Sequence, residues 1–254
     1  MAVMTDIIFT DENKEEMNQF FLKLLCSILK PASFSWLVGK VALIRSESGY
    51  TQLSQAFAQI PRFATKALVA LDAGESTRSE KFFAKALSSG AAIENDRLTS
   101  LSKYTIASWT EETLCRVWML IQIPALPKEN YIEKINRLFV AAELNEQVAL
   151  YSALPFLEYP ENWISRCEEG IRSNIGLILE AIMYYNPYPA ANLSEPAWNQ
   201  MILKAFFTDK DINKVSGIKD RLNKDLSDTL IDYVKERESA GRTVNPDIYQ
   251  LIIQ

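Results

Sequence analysis

Apolar residues recur along this chain with the period of an α-helix, and convincing alternation with period two is missing. Prolines at or near the ends of these periodic stretches support the helix boundaries. The pattern predicts helices over 12–29, 33–46, 50–60, 62–72, 76–88, 92–106, 110–122, 129–143, 145–158, 161–185, 195–208, 224–240 and 246–253.

Three local signals refine these boundaries. Ser108, three residues before Glu111, is typical of a capping box at the start of the 110–122 helix. Asn245 followed by proline predicts a cap with proline in the first helical position. Pro155 lies inside the predicted 145–158 helix, so we expect it to kink that helix or end it early.

Most of the predicted helices are short and follow one another with little loop between them. This predicts an all-α fold of stacked antiparallel helical hairpins, either an irregular, HEAT-like α-solenoid or a compact helical bundle. No motif of fixed period repeats, so the pattern does not choose between these two arrangements. We expect one domain over 1–254, with a candidate hinge at 124–130.

Composition and charge point to a cytoplasmic protein. The net charge of −5 is spread along 254 residues without a Lys/Arg cluster, which argues against a nucleic-acid partner. The first charges are acidic, unlike the start of a secretory signal, and the apolar run at 20–29 contains Lys23 and is too short to span a bilayer. Three dispersed cysteines suit reduced thiols in a cytoplasm.

Missing residue types exclude several kinds of chemistry. The chain has no histidine, which removes Ser-His-Asp and Cys-His catalysis and His-ligated zinc. No two of its eight glycines are closer than six positions, so neither GxGxxG nor GxxxxGK can occur. The cysteines form no CxxC pair. Chemistry based on paired carboxylates, lysine or tyrosine remains open, as does chemistry carried by a bound cofactor. We expect no metal and no cofactor.

Two asparagines fall among apolar side chains on the predicted helices. Wrapped as one helix, 161–185 places Asn174 on its apolar arc, and 195–208 places Asn199 on a similar arc. A buried amide needs a hydrogen-bond partner. Each asparagine could therefore cap or bridge helices, or both could face a shared cavity holding water or a ligand.

Between these helices lies a stiff loop, Asn186-Pro187-Tyr188-Pro189, whose two prolines fix the backbone. It is either a rigid turn or one wall of a pocket. The aromatic residues around it could line that pocket or belong to the core, and they are Tyr184, Tyr185, Tyr188 and Trp198.

Charged side chains form narrow polar stripes on the same helices. Glu169, Arg172 and Glu180 share one stripe, and Lys204 lies on the stripe of the next helix. They could bind a cation or phosphate or do acid–base work, or they could form ordinary ion pairs on a solvated face. Arg237 lies on the apolar side of the last long helix, where we expect a buried pairing with a carboxylate.

Seven segments together resemble one known family, the EboA-domain proteins of a bacterial and algal gene cluster for secondary metabolites. They are WTEE (109–112), NEQVALYSALP (145–155), EGIRSN (169–174), LEAI (179–182), NPYPA (186–190), EPAWNQMILKA (195–205) and DYVKERESAGR (232–242). The resemblance covers 108–251 and weakens toward residue 56. Where the family commonly has His and Trp in its DYAHERW stretch, this chain has Lys235 and Glu238, so chemistry by that histidine is in doubt here.

The resemblance implies an all-helical protein without an assigned catalytic residue. It also implies an accessory role in making or exporting a metabolite, because companions in the cluster resemble a membrane prenyltransferase, a TatD-like hydrolase and other enzymes. The expected partners are proteins of that cluster, such as the prenyltransferase homologue, with a small metabolite as a further candidate.

Three functions remain open. The first is a non-catalytic adaptor that binds a partner protein, and the second is a carrier for an apolar or aromatic metabolite held near Tyr188 and Trp198. The third is an enzyme in which Arg172 and Glu180 converge on a pocket. The candidate binding residues are Arg172, Asn174, Glu180, Asn186, Tyr188, Trp198, Asn199 and Lys204.

Overall fold

The computed structural model of the protein describes residues 11–45, 50–71 and 106–252. Within these ranges it has eleven α-helices and no β-strand, which confirms the all-α prediction. The helices are α1 Asp11–Ile28, α2 Pro31–Arg45, α3 Tyr50–Gln59, α4 Glu111–Leu120, α5 Lys128–Ala141, α6 Leu144–Ala153, α7 Ile164–Arg172, α8 Gly176–Met183, α9 Tyr188–Asn192, α10 Glu195–Phe207 and α11 Lys224–Ser239. Short 3-10 turns occupy Ile60–Arg62, Ile106–Ser108, Leu154–Phe156, Pro160–Trp163, Ile212–Lys214 and Pro246–Leu251.

One predicted helix does not form, and two cannot be compared. Residues 63–71 are irregular rather than helical, because their backbone pairs with the chain just before α4. The Val69 N–H donates to the Trp109 carbonyl at 2.8 Å, and the Glu111 N–H donates to the Ala67 carbonyl at 3.0 Å. The predicted 76–88 helix and almost all of the 92–106 helix lie outside the described residues.

The predicted 161–185 helix is two helices, α7 and α8, separated by residues 173–175. Asn174 follows the C-cap of α7 and has a φ of 58°, in the left-handed region. Helices often end with a left-handed residue at this position, and asparagine is one of the few side chains that tolerates it. The break shifts the angular phase of every later residue, so a single helical wheel across it was wrong.

The caps differ in part from the prediction. Thr110, not Ser108, caps α4, and its side chain accepts from the Thr113 N–H at 3.1 Å. Asn245 caps as expected, although the turn that follows it is 3-10 rather than α. The helix before Pro155 ends at Ala153, as expected. Helix α9 was not predicted, because it is short and begins inside the proline-rich loop.

The core is built around α4, in which every residue except Glu111 is buried. A helix that is buried all round must have neighbours on several sides. Helices α1 and α6 pack on α4, α8 packs on α6, and α7 packs on α8. The pairs α2–α3 and α10–α11 also pack together. The choice between a solenoid and a bundle stays a prediction.

A glycine allows the closest approach within this packing. A methyl group on Gly170 of α7 would lie 2.5 Å from Ile182 Cδ1 and 2.6 Å from Tyr151 Cζ. Helices α6, α7 and α8 can therefore meet this closely only without a side chain at this position.

Candidate functional site

Asn186 is a buried polar residue that joins three helices. Its amide nitrogen donates to the carbonyls of Tyr151 at 3.1 Å and Ala181 at 2.9 Å. Its Oδ1 accepts from the backbone N–H of Tyr188 at 3.0 Å. These bonds connect α6, α8 and the start of α9, so Asn186 sets the direction in which the chain leaves α8.

Asn186 lines a partly open cleft of about 120 Å³, where α4, α6 and α8 meet. Its walls contain parts of four of the segments quoted above. The lining residues are Ser108, Trp109, Thr113, Val148, Ser152, Leu177, Glu180, Ala181, Tyr184, Tyr185 and Asn186. A cavity of about 150 Å³ holds a benzene ring, so this cleft has room for one ring or one side chain.

Glu180 supplies the charge in the cleft, and that charge is paired. Its Oε1 accepts from Lys210 Nζ at 2.6 Å. The Lys210 side chain is 12% exposed whereas that of Glu180 is 40% exposed, so the carboxylate is the partner that faces solvent. The cleft therefore offers a carboxylate acceptor whose charge is already balanced.

The two tyrosines of the cleft are held by the loop after α10. The Tyr184 hydroxyl accepts from the Asp211 N–H at 2.8 Å, and Lys214 Nζ lies 5.2 Å from the centre of its ring. The Tyr185 N–H donates to the Lys214 carbonyl at 2.8 Å, and its φ of 53° is in the left-handed region. Both tyrosines are thus held in place by hydrogen bonds to the backbone of this loop.

Tyr188 and Trp198 are core residues, and neither lines this cleft. Tyr188 is buried, and its hydroxyl donates to the Pro160 carbonyl at 2.5 Å. Burial raises the pKa of this phenol well above its usual value. Trp198 is fully buried beneath the Arg221 guanidinium, 4.9 Å from its ring, and its indole N–H has no hydrogen-bond partner among the described residues.

The two asparagines have different environments. Asn174 is exposed at the break between α7 and α8, so its predicted position on an apolar arc is wrong. Asn199 forms reciprocal amide bonds with Asn223, at 3.1 and 2.9 Å. Asn223 also caps α11 through the Leu226 N–H at 2.8 Å. Of the two alternatives for Asn199, the bridge between helices is the one that the structure has.

The charged residues of the predicted stripe form ion pairs with separate partners. Arg166, not Arg172, pairs with Glu169 at 2.8 Å. Arg172 is mostly exposed and lies 3.8 Å from Glu168, so it does not share a site with Glu180.

Two further cations fall outside the cleft. Lys204 on α10 is partly buried, and desolvation lowers the pKa of its ammonium group, but it does not line the cleft. Contrary to expectation, Arg237 pairs with no carboxylate of the described residues. Its Nε and Nη2 donate to the Thr243 carbonyl at 2.9 and 2.8 Å.

Metal clusters and the two buried thiols are the other reactive groups to consider among the described residues. No group of three His, Cys, Asp or Glu side chains in this part of the chain could hold a metal ion. Burial raises the pKa of the Cys115 thiol from 9.0 to about 12, and it also raises that of Cys167. Both thiols are therefore protonated at neutral pH and are poor nucleophiles.

Of the eight candidate residues, Glu180 and Asn186 line the cleft and the other six do not. The sequence reasoning missed Lys210 and Ser152, together with the close packing at Gly170. Lys210 is 30 positions from Glu180, and nothing in the local pattern marks such a pairing. Gly170 stands inside the quoted EGIRSN segment, and a glycine in mid-helix is a signal of close packing that could have been used.

Membrane-spanning character and similarity to known proteins both bear on the function, and one family matches. No helix among the described residues has the length and apolar character needed to cross a membrane. No curated protein and no solved structure matches the chain. A family model described as "Metabolite traffic protein EboA" matches residues 17–253. Because this match spans nearly the whole sequence, the chain belongs to the EboA family of metabolite traffic proteins.

Proposed function

We propose that this protein is a non-catalytic accessory protein of metabolite traffic, which acts in the cytoplasm as one domain and binds a partner protein at the cleft between α4, α6 and α8. The single observation behind this proposal is where the shared segments meet. Trp109, Ser152, Glu180 and Asn186 come from four separate segments and line one partly open cleft. Tyr188 and Trp198, the residues expected to hold a cargo, are instead packed in the core.

The rim of the cleft has the character of a protein-binding surface. Leu177 lines the cleft and is 50% exposed. Ile175, two residues before it at the N-cap of α8, is also exposed. Protein–protein contacts commonly combine an apolar core with polar groups beside it, and this cleft likewise has exposed apolar side chains next to polar ones. A partner side chain with an apolar body and a donor at its tip, such as tyrosine or lysine, would fill the cleft and reach the Glu180 carboxylate.

The geometry supports binding more than catalysis. Arg172 and Glu180, which an enzyme would need to bring together, are paired with different residues. The Glu180 carboxylate is already hydrogen-bonded to Lys210 Nζ. The proposed partner is the membrane prenyltransferase homologue of the same gene cluster or another product of that cluster.

A binding assay with purified proteins tests the proposal. Each product of the gene cluster is immobilised, the prenyltransferase homologue in nanodiscs, and its affinity for this protein is measured by biolayer interferometry. We expect one of them to bind, and Leu177→Asp to weaken binding at least tenfold, about 1.4 kcal/mol.

Val38→Asp is the control, because Val38 is also an exposed apolar helix residue, at 38%, but lies in the middle of α2 away from the cleft. It should bind like the unchanged protein. If no product of the cluster binds, or if both aspartate variants bind equally well, the proposal is wrong.

A further inference from the structure

A second cavity, of about 260 Å³, lies on another part of the molecule, between α3, α4 and the junction of α5 with α6. Arg116 lines it together with the apolar residues Phe57, Pro61 and Leu138. Glu143 and Glu146, at the start of α6, also line it. None of these residues belongs to the cleft described above.

Arg116 is the unusual member of this set. It is only 2% exposed, yet it lines the cavity. Its Nε donates to the Phe57 carbonyl at 3.2 Å, and its Nη1 donates to Glu112 at 3.1 Å. A guanidinium has five N–H donors. Its Nη2 makes no hydrogen bond to any described residue and is not among the fully buried unpartnered nitrogens, so this donor group is open to the cavity that Arg116 lines.

The charges around the cavity decide which ligand Arg116 can take. Glu112, itself buried, already balances the guanidinium charge. Glu143 and Glu146 are occupied in a capping box, in which Glu146 accepts from the Glu143 N–H at 3.0 Å, but both keep their negative charge. The one lining cation is therefore outnumbered by the two lining carboxylates and by Glu112, which pairs with it. An anionic ligand would be repelled, whereas an uncharged or cationic one would not.

We propose that this cavity binds a small uncharged or cationic ring compound whose carbonyl or hydroxyl oxygen accepts a hydrogen bond from Arg116 Nη2. The volume exceeds the roughly 150 Å³ that holds benzene, so a ring with one polar substituent fits. Phe57 and Leu138 contact the ring, and an amine or amide N–H at the outer end donates to Glu143 or Glu146. This is a metabolite site separate from the partner-binding cleft, and it does not depend on that proposal.

Three probes of similar shape test the ligand chemistry. Benzamide is uncharged and carries both a carbonyl acceptor and N–H donors, benzoate is the anionic counterpart, and toluene has no acceptor. Binding is followed by shifts of the backbone amide signals in NMR titrations of the whole protein. We expect saturable shifts at Ala58, Arg116 and Ala141 with benzamide, and at least tenfold weaker binding of benzoate and toluene.

Substitutions that fill the cavity test its location without touching the buried ion pair. Ala58 and Ala141 are exposed residues that line the cavity, so Ala58→Leu and Ala141→Leu occupy its space at little risk to folding. Each should weaken benzamide binding at least tenfold. Ala42→Leu, an exposed position on α2 outside the cavity, should leave it unchanged.

Arg116→Lys keeps the charge opposite Glu112 but removes the planar group, so it should also weaken benzamide binding if the variant folds. The Ala58 and Ala141 variants decide the question on their own if it does not. Absence of saturable benzamide binding, equal or tighter binding of benzoate, or unchanged affinity in both leucine variants would overturn the proposal.

Discussion

Adding one methyl group to Gly170 should destabilise the protein, although the same change in an ordinary helix is stabilising. In Gly170→Ala the new Cβ would lie 2.5 Å from Ile182 Cδ1 and 2.6–2.7 Å from two atoms of the Tyr151 ring. Ordinary van der Waals contacts begin near 3.4 Å, so these buried side chains must move by about 1 Å. Overpacking of this kind costs about 1–3 kcal/mol.

The helix preference for alanine over glycine offsets about 0.5–1 kcal/mol of that cost. We therefore expect Gly170→Ala to lower the free energy of unfolding by up to about 2.5 kcal/mol, or the thermal midpoint by up to about 10 °C. Urea unfolding followed by circular dichroism measures the difference.

Gly39→Ala is the control for this experiment. Gly39 lies in the interior of α2, and no atom lies within 4 Å of its added Cβ. This variant should gain about 0.5–1 kcal/mol from helix preference alone. If Gly170→Ala is as stable as Gly39→Ala, the close packing of α6, α7 and α8 is not as described.

The remaining predictions concern a cap, the thiols and metal dependence. Asn223→Ala removes both the α11 cap and the bond to Asn199, so it should cost about 1–2 kcal/mol in urea unfolding, and a neutral result would contradict this role. Cys26 is exposed while Cys115 and Cys167 are buried, so a thiol reagent at pH 8 should modify one thiol in the folded protein and three in denaturant. Because burial raises the pKa of Cys115 from 9.0 to about 12, the unfolded chain loses this proton first. The contribution to stability is therefore full below pH 9 and falls between pH 9 and 12, and it should be absent in Cys115→Ala. Partner binding should be the same with and without EDTA, since a loss on chelation would require a metal site.

Regular periodicity was sufficient to predict the long helices. The predicted 195–208 and 224–240 helices agree with α10 and α11 to within one residue at each end. Both carry apolar residues on a 3.6-residue period and begin next to a side-chain cap, at Ser194 and Asn223. Signals of this kind are local, so they do not depend on the rest of the fold.

The candidate site was harder to predict for two reasons. It depends on the direction in which each side chain leaves its helix, and on contacts between residues that are far apart in the sequence. A wheel drawn across 161–185 assumes one continuous helix, and the left-handed conformation of Asn174 breaks that continuity. Asn174 is consequently exposed, whereas Asn186, assigned only to a turn or pocket wall, is a buried hub of hydrogen bonds.

Aromatic density was also ambiguous in the sequence. Tyr184 and Tyr185 line the cleft, while Tyr188 is core. All three stand within five positions, and the difference comes from the turn at Asn186, which directs Tyr188 inward. No composition or period in the sequence distinguishes these orientations.

Photo-cross-linking from the rim of the cleft is the most direct test of the proposed function. Benzoylphenylalanine is placed at position 177, at the exposed edge of α8, and separately at position 38 on α2, in cells that produce the whole gene cluster. Cross-linked species are identified by mass spectrometry. The account predicts a covalent adduct with a protein of the cluster from position 177 and none from position 38. Absence of an adduct at 177, or the same adduct from both positions, would contradict it.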